Sequence, residues 1–219
     1  MTGSEGFAHL ETDASAAAVF YRATVGVSRS SAPAILAASD FSAFKNIVDV
    51  GGGYGELLVW ILRANPNVTG TLFELPQARA GAEAHFNAAG VFSRCDVVTG
   101  DFFESIPAGA NAYLLKSVLH DWNDARATLI LQNCRTAMSG DARLLIIEQV
   151  MPDNILDKTS GLAVSDLTML VTHGAGERTL TSFRHLLDSA GLQLIRAVPV
   201  TGALHIIEAA RPSTGSERI

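Results

Sequence analysis

The chain of 219 residues carries 16 Lys and Arg against 22 Asp and Glu, a net charge of −6, with 48% hydrophobic and 17% charged residues. That length suits one ordinary domain with a real core, and the apolar share excludes a disordered chain. The acidic balance, with no basic cluster on any stretch, excludes nucleic acid and an anionic membrane surface as expected partners.

The first residues, MTGSEGFAHLETD, have no basic start followed by an apolar run, so no signal peptide is expected. The most apolar stretches, 143–150 and 162–171, are interrupted by Glu148 and Asp166 and fall short of a membrane span. Cys95 and Cys134 stand alone without Cys-x-x-Cys spacing, which suits a reducing cytoplasm and offers no zinc site.

Residues 1–12 and 211–219 are small and polar and read as loose ends. The chain divides into a helical lead-in over 1–40, a main domain over 41–210 and a flexible tail over 211–219. In the lead-in, Ala17, Phe20, Tyr21 and Val25 recur at three- and four-residue spacing, with Asp13 or Ser15 as a cap. The polar run 28–31, followed by Pro33, predicts a break into two helices. A strand over 47–50 then runs into Gly51, Gly52 and Gly53. A helix over 56–64, a strand over 68–73 and a helix over 76–89 follow, the last with Pro76 at its start and Gly90 past its end. Strands over 96–99 and 113–117, a helix over 124–138 and a strand over 144–148 complete an alternation that predicts a parallel sheet covered on both faces. Helices over 162–171 and 182–190 precede strands over 193–199 and 203–209. The short gap between these strands predicts an antiparallel hairpin.

Ligands of such sheets bind at the carboxyl ends of the strands. There, Gly51, Gly53 and Gly55 give the spacing G-x-G-x-G, whereas position 56 is Glu, so the dinucleotide fingerprint G-x-G-x-x-G is not met. Asp49 beside the turn would repel a pyrophosphate and attract an ammonium. Glu74 ends the second strand, where it can accept from both ribose hydroxyls. A ligand with a ribose, a cationic amino-acid end and no phosphate fits both acids, and S-adenosylmethionine is that ligand. The plainer alternative is a tight turn with Asp49 as a cap. Asp101 and Phe102 follow the third strand, offering a carboxylate to an adenine amino group and an apolar wall to the ring. Lys116 ends the fourth strand. Each alone also reads as structural, Asp101 as a turn cap and Lys116 as a solvated strand end.

His120 lies in SVLHDWND, directly after the fourth strand and on the same rim. Glu148 ends the next strand, and Glu177 lies in GAGERT before a helix. A histidine flanked by carboxylates can serve as a general base, one acid fixing the tautomer and stabilising the imidazolium. Trp122 reads equally as a pocket wall or a packing residue. His120, Asp121 and Glu148 also have the chemistry of a divalent-metal set, although a base needs none. Hydrolysis by a Ser/His/Asp set lacks its G-x-S-x-G elbow.

The segments VDVGGGYG, FELP, GDFF, LLKSVLHDWND, IIEQVMPD and GERT, in that order, resemble the S-adenosylmethionine-dependent O-methyltransferases of the plant caffeic-acid and bacterial polyketide-tailoring type. The resemblance covers roughly 41–209. It implies a Rossmann-like class I methyltransferase fold, an α/β architecture whose seven-stranded, mostly parallel sheet ends in an antiparallel hairpin. It implies that Asp49, Gly51 and Gly53 hold the methionine end, Glu74 the ribose, and Asp101 and Phe102 the adenine, with Lys116 beside them. His120 would be the general base oriented by Glu148 and Glu177. Trp122 and Met169 would line the pocket of a small-molecule hydroxyl acceptor, and no metal is used. Many relatives carry Asp where Glu74 stands, a change that keeps the acceptor.

Some relatives keep this cofactor site yet hydroxylate or decarboxylate polyketides. An NAD-dependent dehydrogenase is the rival from another class, against which the glycine spacing, Asp49 and the antiparallel end all argue. The family's homodimer forms through an N-terminal helical domain. This chain starts near that junction, so a homodimer is not expected of it, and a cofactor-binding domain without turnover stands as the non-enzymatic alternative.

Overall fold

The computed structural model describes residues 13–154 and 160–212, so of the loose ends expected over 1–12 and 211–219 all but Arg211 and Pro212 lie outside the described residues, and Arg211 donates to the Met138 carbonyl at 3.1 Å. The lead-in is one helix, α1 (Ala14–Ala38), with Pro33 inside it, which corrects the expected break. The proline removes a single N–H donor. Around it, the hydroxyls of Ser30 and Ser31 turn back to the carbonyls of Val27 and Ser28, at 2.8 and 3.2 Å. Buried Ala32 and Ile35 then anchor the helix on both sides of the proline. Asp13 caps the start, accepting from the N–H groups of Ser15 and Ala16.

Beyond α1, strand and helix alternate as predicted: β1 (Asn46–Val50), α2 (Glu56–Ala64), β2 (Thr69–Glu74), α3 (Arg79–Ala89), β3 (Cys95–Thr99), β4 (Ala112–Lys116), α4 (Asp124–Ala137) and β5 (Arg143–Met151). Then come α5 (Ser160–His173), the two-residue β6 (Arg178–Thr179), α6 (Leu180–Ser189), β7 (Gln193–Thr201) and β8 (Leu204–Ala210). The main path of the sheet is β3-β2-β1-β4-β5-β8-β7, seven strands, and β6 adds to the end of β5. β1 to β5 pair parallel, while β8 pairs antiparallel with both β5 and β7. β7 is the edge strand of this path, and it carries Pro199 beside a register shift, where a missing N–H is tolerated.

Strand alternation sends side chains to two cores. Val48, Val50, Tyr113, Leu115, Leu144 and Ile146 join one, covered by α4 and α6. Ile47, Leu114, Leu145 and Ile147 join the other, covered by α2, α3 and the second half of α1. Asp49 falls on the Ile47 side by parity, 1% exposed, where the period demands an apolar residue. A buried carboxylate at a position that packing would fill with Val or Ile points to a role in binding.

The strand order reverses between β1 and β4. A cavity of about 320 Å³ opens at their carboxyl ends, the place where open α/β sheets take their ligands.

Candidate active site

The turn after β1 is left-handed at Gly51 (φ 68°) and Gly53 (φ 63°), a conformation that side chains disfavour. A Cβ on Gly51 would also press on Val118 at 3.2 Å, and one on Gly53 on Thr24 of α1 at 3.0 Å. The bare turn therefore packs between α1 and the loop after β4. It exposes its backbone to the cavity, which Asp49, Gly51, Gly52 and Gly53 line.

Both oxygens of Asp49 are buried without a hydrogen-bond partner, so it caps nothing. Burial pushes its pKa up to about 7, partly countered by the Lys116 ammonium. Glu74 accepts the backbone N–H of Gly53 at 3.2 Å and that of Leu75, and the Tyr21 hydroxyl stands 3.4 Å from its Oε2. Burial raises Glu74 to about 7 as well. Asp101 is exposed on the cavity wall and does cap a turn, accepting the Phe103 N–H at 2.7 Å. Phe102, Lys116 and Trp122 line the same cavity. Trp122 stacks edge-on with Phe103 and Phe102, at 4.7 and 6.1 Å between centroids, so it shares the wall expected for adenine. Arg126 lies over the Phe103 and Trp122 rings.

Past β4 the chain enters a left-handed residue, Ser117 (φ 54°), and then a single 3-10 turn, Leu119–Asp121, that carries His120. Glu148, 1% exposed on β5, fixes this turn, its Oε1 accepting the N–H groups of Val118 and Leu119 at 2.9 Å each. Its Oε2 lies 3.4 Å from His120 Nδ1, and Glu177 Oε1 lies 3.5 Å from the same nitrogen. Asp121 Oδ1 is 3.5 Å from Nε2 and lines the cavity. Glu148 and Glu177 face Nδ1 and Asp121 faces Nε2, so the three carboxylates together favour the protonated ring. Burial opposes a charged ring, but Glu148, Glu177 and Asp121 outweigh it and raise His120 to about 9. Burial raises Glu148, while Glu177 is drawn down, despite its own burial, by His120 and Ser165. Asp121 is raised by burial to about 7.

The three side chains His120, Glu148 and Glu177 each turn a potential ligand atom within 4.8 Å of the others. One oxygen of Glu148 is nevertheless committed to backbone N–H groups. The structure thus brings together His120, Glu148 and Glu177 on one side and Asp49, Gly51, Gly53, Glu74, Asp101, Phe102, Lys116 and Trp122 on the other. Met169 sits partly buried on α5 and is not among the cavity's lining residues.

Sequence reasoning missed α1, whose Phe20, Tyr21, Thr24, Val27 and Ser28 wall the cavity. No motif marks them. It also missed Arg178, 8% exposed, which donates to the carbonyls of Leu119 and Trp122 and to Asp124, pinning the His120 turn from below. The GERT segment carried that signal.

A doubly wound sheet closed by an antiparallel hairpin, with acids rather than anion-binding groups at its switch point, defines a class I methyltransferase. The O-methyltransferase domain model matches residues 1–193. Phenazine O-methyltransferase PhzM of Lysobacter antibioticus is 41% identical over 207 residues, covering 94% of this chain and 60% of that protein. The mitomycin biosynthesis 6-O-methyltransferase of Streptomyces lavendulae is 40% identical over 202 residues, covering 91% of this chain and 56% of its own length. Among solved structures, NcsB1 from neocarzinostatin biosynthesis, with S-adenosyl-L-homocysteine and 1,4-dihydroxy-2-naphthoic acid, superposes with a TM-score of 0.88 at 33% identity. It covers 96% of this chain and 62% of that one. The chain belongs to the O-methyltransferase family. It spans about 60% of the phenazine relative's length.

Proposed function

We propose that this protein transfers a methyl group from S-adenosylmethionine to a hydroxyl of an aromatic or polyketide small molecule, with His120 as the general base and no metal. One observation carries the reading: a histidine set between two buried carboxylates stands beside a cavity lined by Asp49 and Glu74. The orphaned Asp49 carboxylate and the bare glycine turn fit the amino-acid end of that cofactor, and Glu74 fits its ribose. Asp101 and Phe102 fit the adenine. When bound, S-adenosylmethionine supplies a methyl group activated by a sulfonium.

The protein's own part is positioning and proton transfer. A phenol loses its proton near pKa ~10. An ordinary imidazole, at 6.5, is far too weak a base to take it fully; the neutral His120 ring, populated as pH rises toward its pKa of about 9, is a stronger base and narrows the gap to roughly one unit. Glu148 and Glu177 stabilise the imidazolium that results, and Glu148 also fixes the 3-10 turn that carries the ring, next to Asp121 of the cavity lining. Holding the oxygen in line with the methyl group supplies much of the remaining acceleration. The relatives named for phenazine, mitomycin and naphthoate chemistry support the acceptor class. The test is a labelled-methyl transfer assay against hydroxylated aromatics and aromatic polyketides, with His120→Ala as control. Transfer at the wild-type rate in that variant would refute the base.

A further inference from the structure

We propose that Ser165 is a positioning residue for the catalytic histidine: its hydroxyl holds Glu177 in place and charged against the His120 ring. The inference rests on the reading of His120 as the base.

Ser165 sits on α5, whose neighbouring residues Val164 and Leu167 are exposed and contribute nothing to the site. Its Oγ donates to Glu177 Oε1 at 2.7 Å, the same oxygen that lies 3.5 Å from His120 Nδ1. The direction of that bond is fixed from behind. Gln149 Nε2, an obligate donor, lies 3.4 Å from Ser165 Oγ, so the hydroxyl accepts there and its proton is free for Glu177. A relay therefore runs from β5 through α5 to the loop before β6 and ends on the imidazole.

The same helix grips the loop backbone. Asp166 Oδ1 accepts the Glu177 N–H at 3.2 Å, and a Cβ on Gly176 would meet that oxygen at 2.9 Å. The loop thus lies directly on α5. Without Ser165, Glu177 would keep its backbone anchor but lose the hydroxyl that donates to its carboxylate, leaving it the histidine. A carboxylate without donors in a buried site drifts toward its neutral form, and a neutral Glu177 no longer supports an imidazolium. Around the pair, Glu148 faces the ring from β5 and Asp121 from its own turn, with Arg178 next to Glu177 and Lys116 acting on Glu148. Those groups are untouched by a change at Ser165, so the shift expected is partial.

The decisive measurement is the titration of His120 in the full chain, by NMR on isotopically labelled histidine, with the signal assigned from His120→Asn. In Ser165→Ala the midpoint should fall by on the order of half a pH unit or more, while Ser165→Thr, which keeps the donor, should titrate as wild type. Ser165→Cys, close in volume and a weaker donor, should fall between, and it serves should the alanine variant fold poorly. On the plateau above the wild-type midpoint, turnover of the alanine variant should drop several-fold with the affinity for S-adenosylmethionine unchanged, and the lower limb of its pH–rate profile should move to lower pH. A purely structural role would slow the enzyme without moving either midpoint. A wild-type midpoint in Ser165→Ala or Ser165→Cys would overturn the proposal. Full turnover in His120→Ala would instead overturn the base assignment, which the ring's titration does not depend on.

Discussion

On the β1–β2 side of the rim, Asp49 has no hydrogen bond, while Glu74 accepts two backbone N–H groups and faces the Tyr21 hydroxyl. On the β4–β5 side, Glu148 holds two backbone N–H groups, Glu177 takes a serine hydroxyl, and both face one imidazole. On the first side the buried Asp49 carboxylate has no group among the described residues to satisfy it. The second is held among its own residues, the preorganisation that the proposed proton transfer calls for. Under the proposed function the difference sorts binding from chemistry, and substitutions should separate the two.

The largest effect is expected at Glu148, which anchors the turn carrying His120 and, under the proposed function, supports the base. Glu148→Ala should lower turnover by ~10²–10⁴-fold and, by leaving the Val118 and Leu119 N–H groups without their acceptor, destabilise the protein by about 1–3 kcal/mol, read by denaturant unfolding. Next comes His120→Ala, with a loss of ~10² or more in turnover and unchanged cofactor affinity by calorimetry; a matching loss of affinity would erase the contrast between the two sides. Asp49→Asn is the mirror case. It should weaken S-adenosylmethionine binding on the order of 10-fold while saturated turnover stays near wild type.

The pH dependence sharpens the same contrast. Asp49 and Glu74 both sit near 7 in the folded protein, above their ordinary 3.8 and 4.5, so their neutral forms are favoured in the fold without ligand. A cationic ligand needs the charged forms, so affinity should rise from pH 5 to about 8 and then level, with protons released on binding. His120 behaves oppositely. Its pKa is raised from 6.5 to about 9, so its stabilising contribution is full below about 6.5 and is lost as pH rises through 9. Wild type should therefore lose stability relative to His120→Ala between pH 7 and 10. The smallest effect is expected for Tyr21→Phe. Its hydroxyl stands a long 3.4 Å from Glu74, and affinity should change about two-fold.

Most of the sheet was legible because buried parallel strands are continuous apolar runs ended by glycine or acid, as in NIVDV before Gly51. The helix over Glu56–Ala64 was legible to the residue, its apolar face being uninterrupted. Reading Pro33 as a break failed because Ala32 and Ile35 pack on a core that lies far away in sequence. The rim acids were legible in part: Glu74 ends β2 and Asp49 stands one residue before the end of β1, where packing asks for nothing polar, whereas Glu148, expected to end its strand, lies three residues inside β5, which runs on to Met151. Tyr21, Ser165 and Arg178 were not, since their partners Glu74, Glu177 and Asp124 lie 53, 12 and 54 positions away.

The sequence by itself determined the alternation, the hairpin at the end, the glycine turn and which carboxylates would stand on the rim, because these follow from local periodicity and from residue types that cannot be buried idly. Only the tertiary structure decided how they are held. It laid α1 over the cavity and left Asp49 without a partner. It also closed the ring of Glu148, Glu177 and Ser165 around His120. Those contacts join segments that no local pattern relates, and they form only when the buried cores bring β4, β5, α5 and the loop before β6 to one end of the sheet.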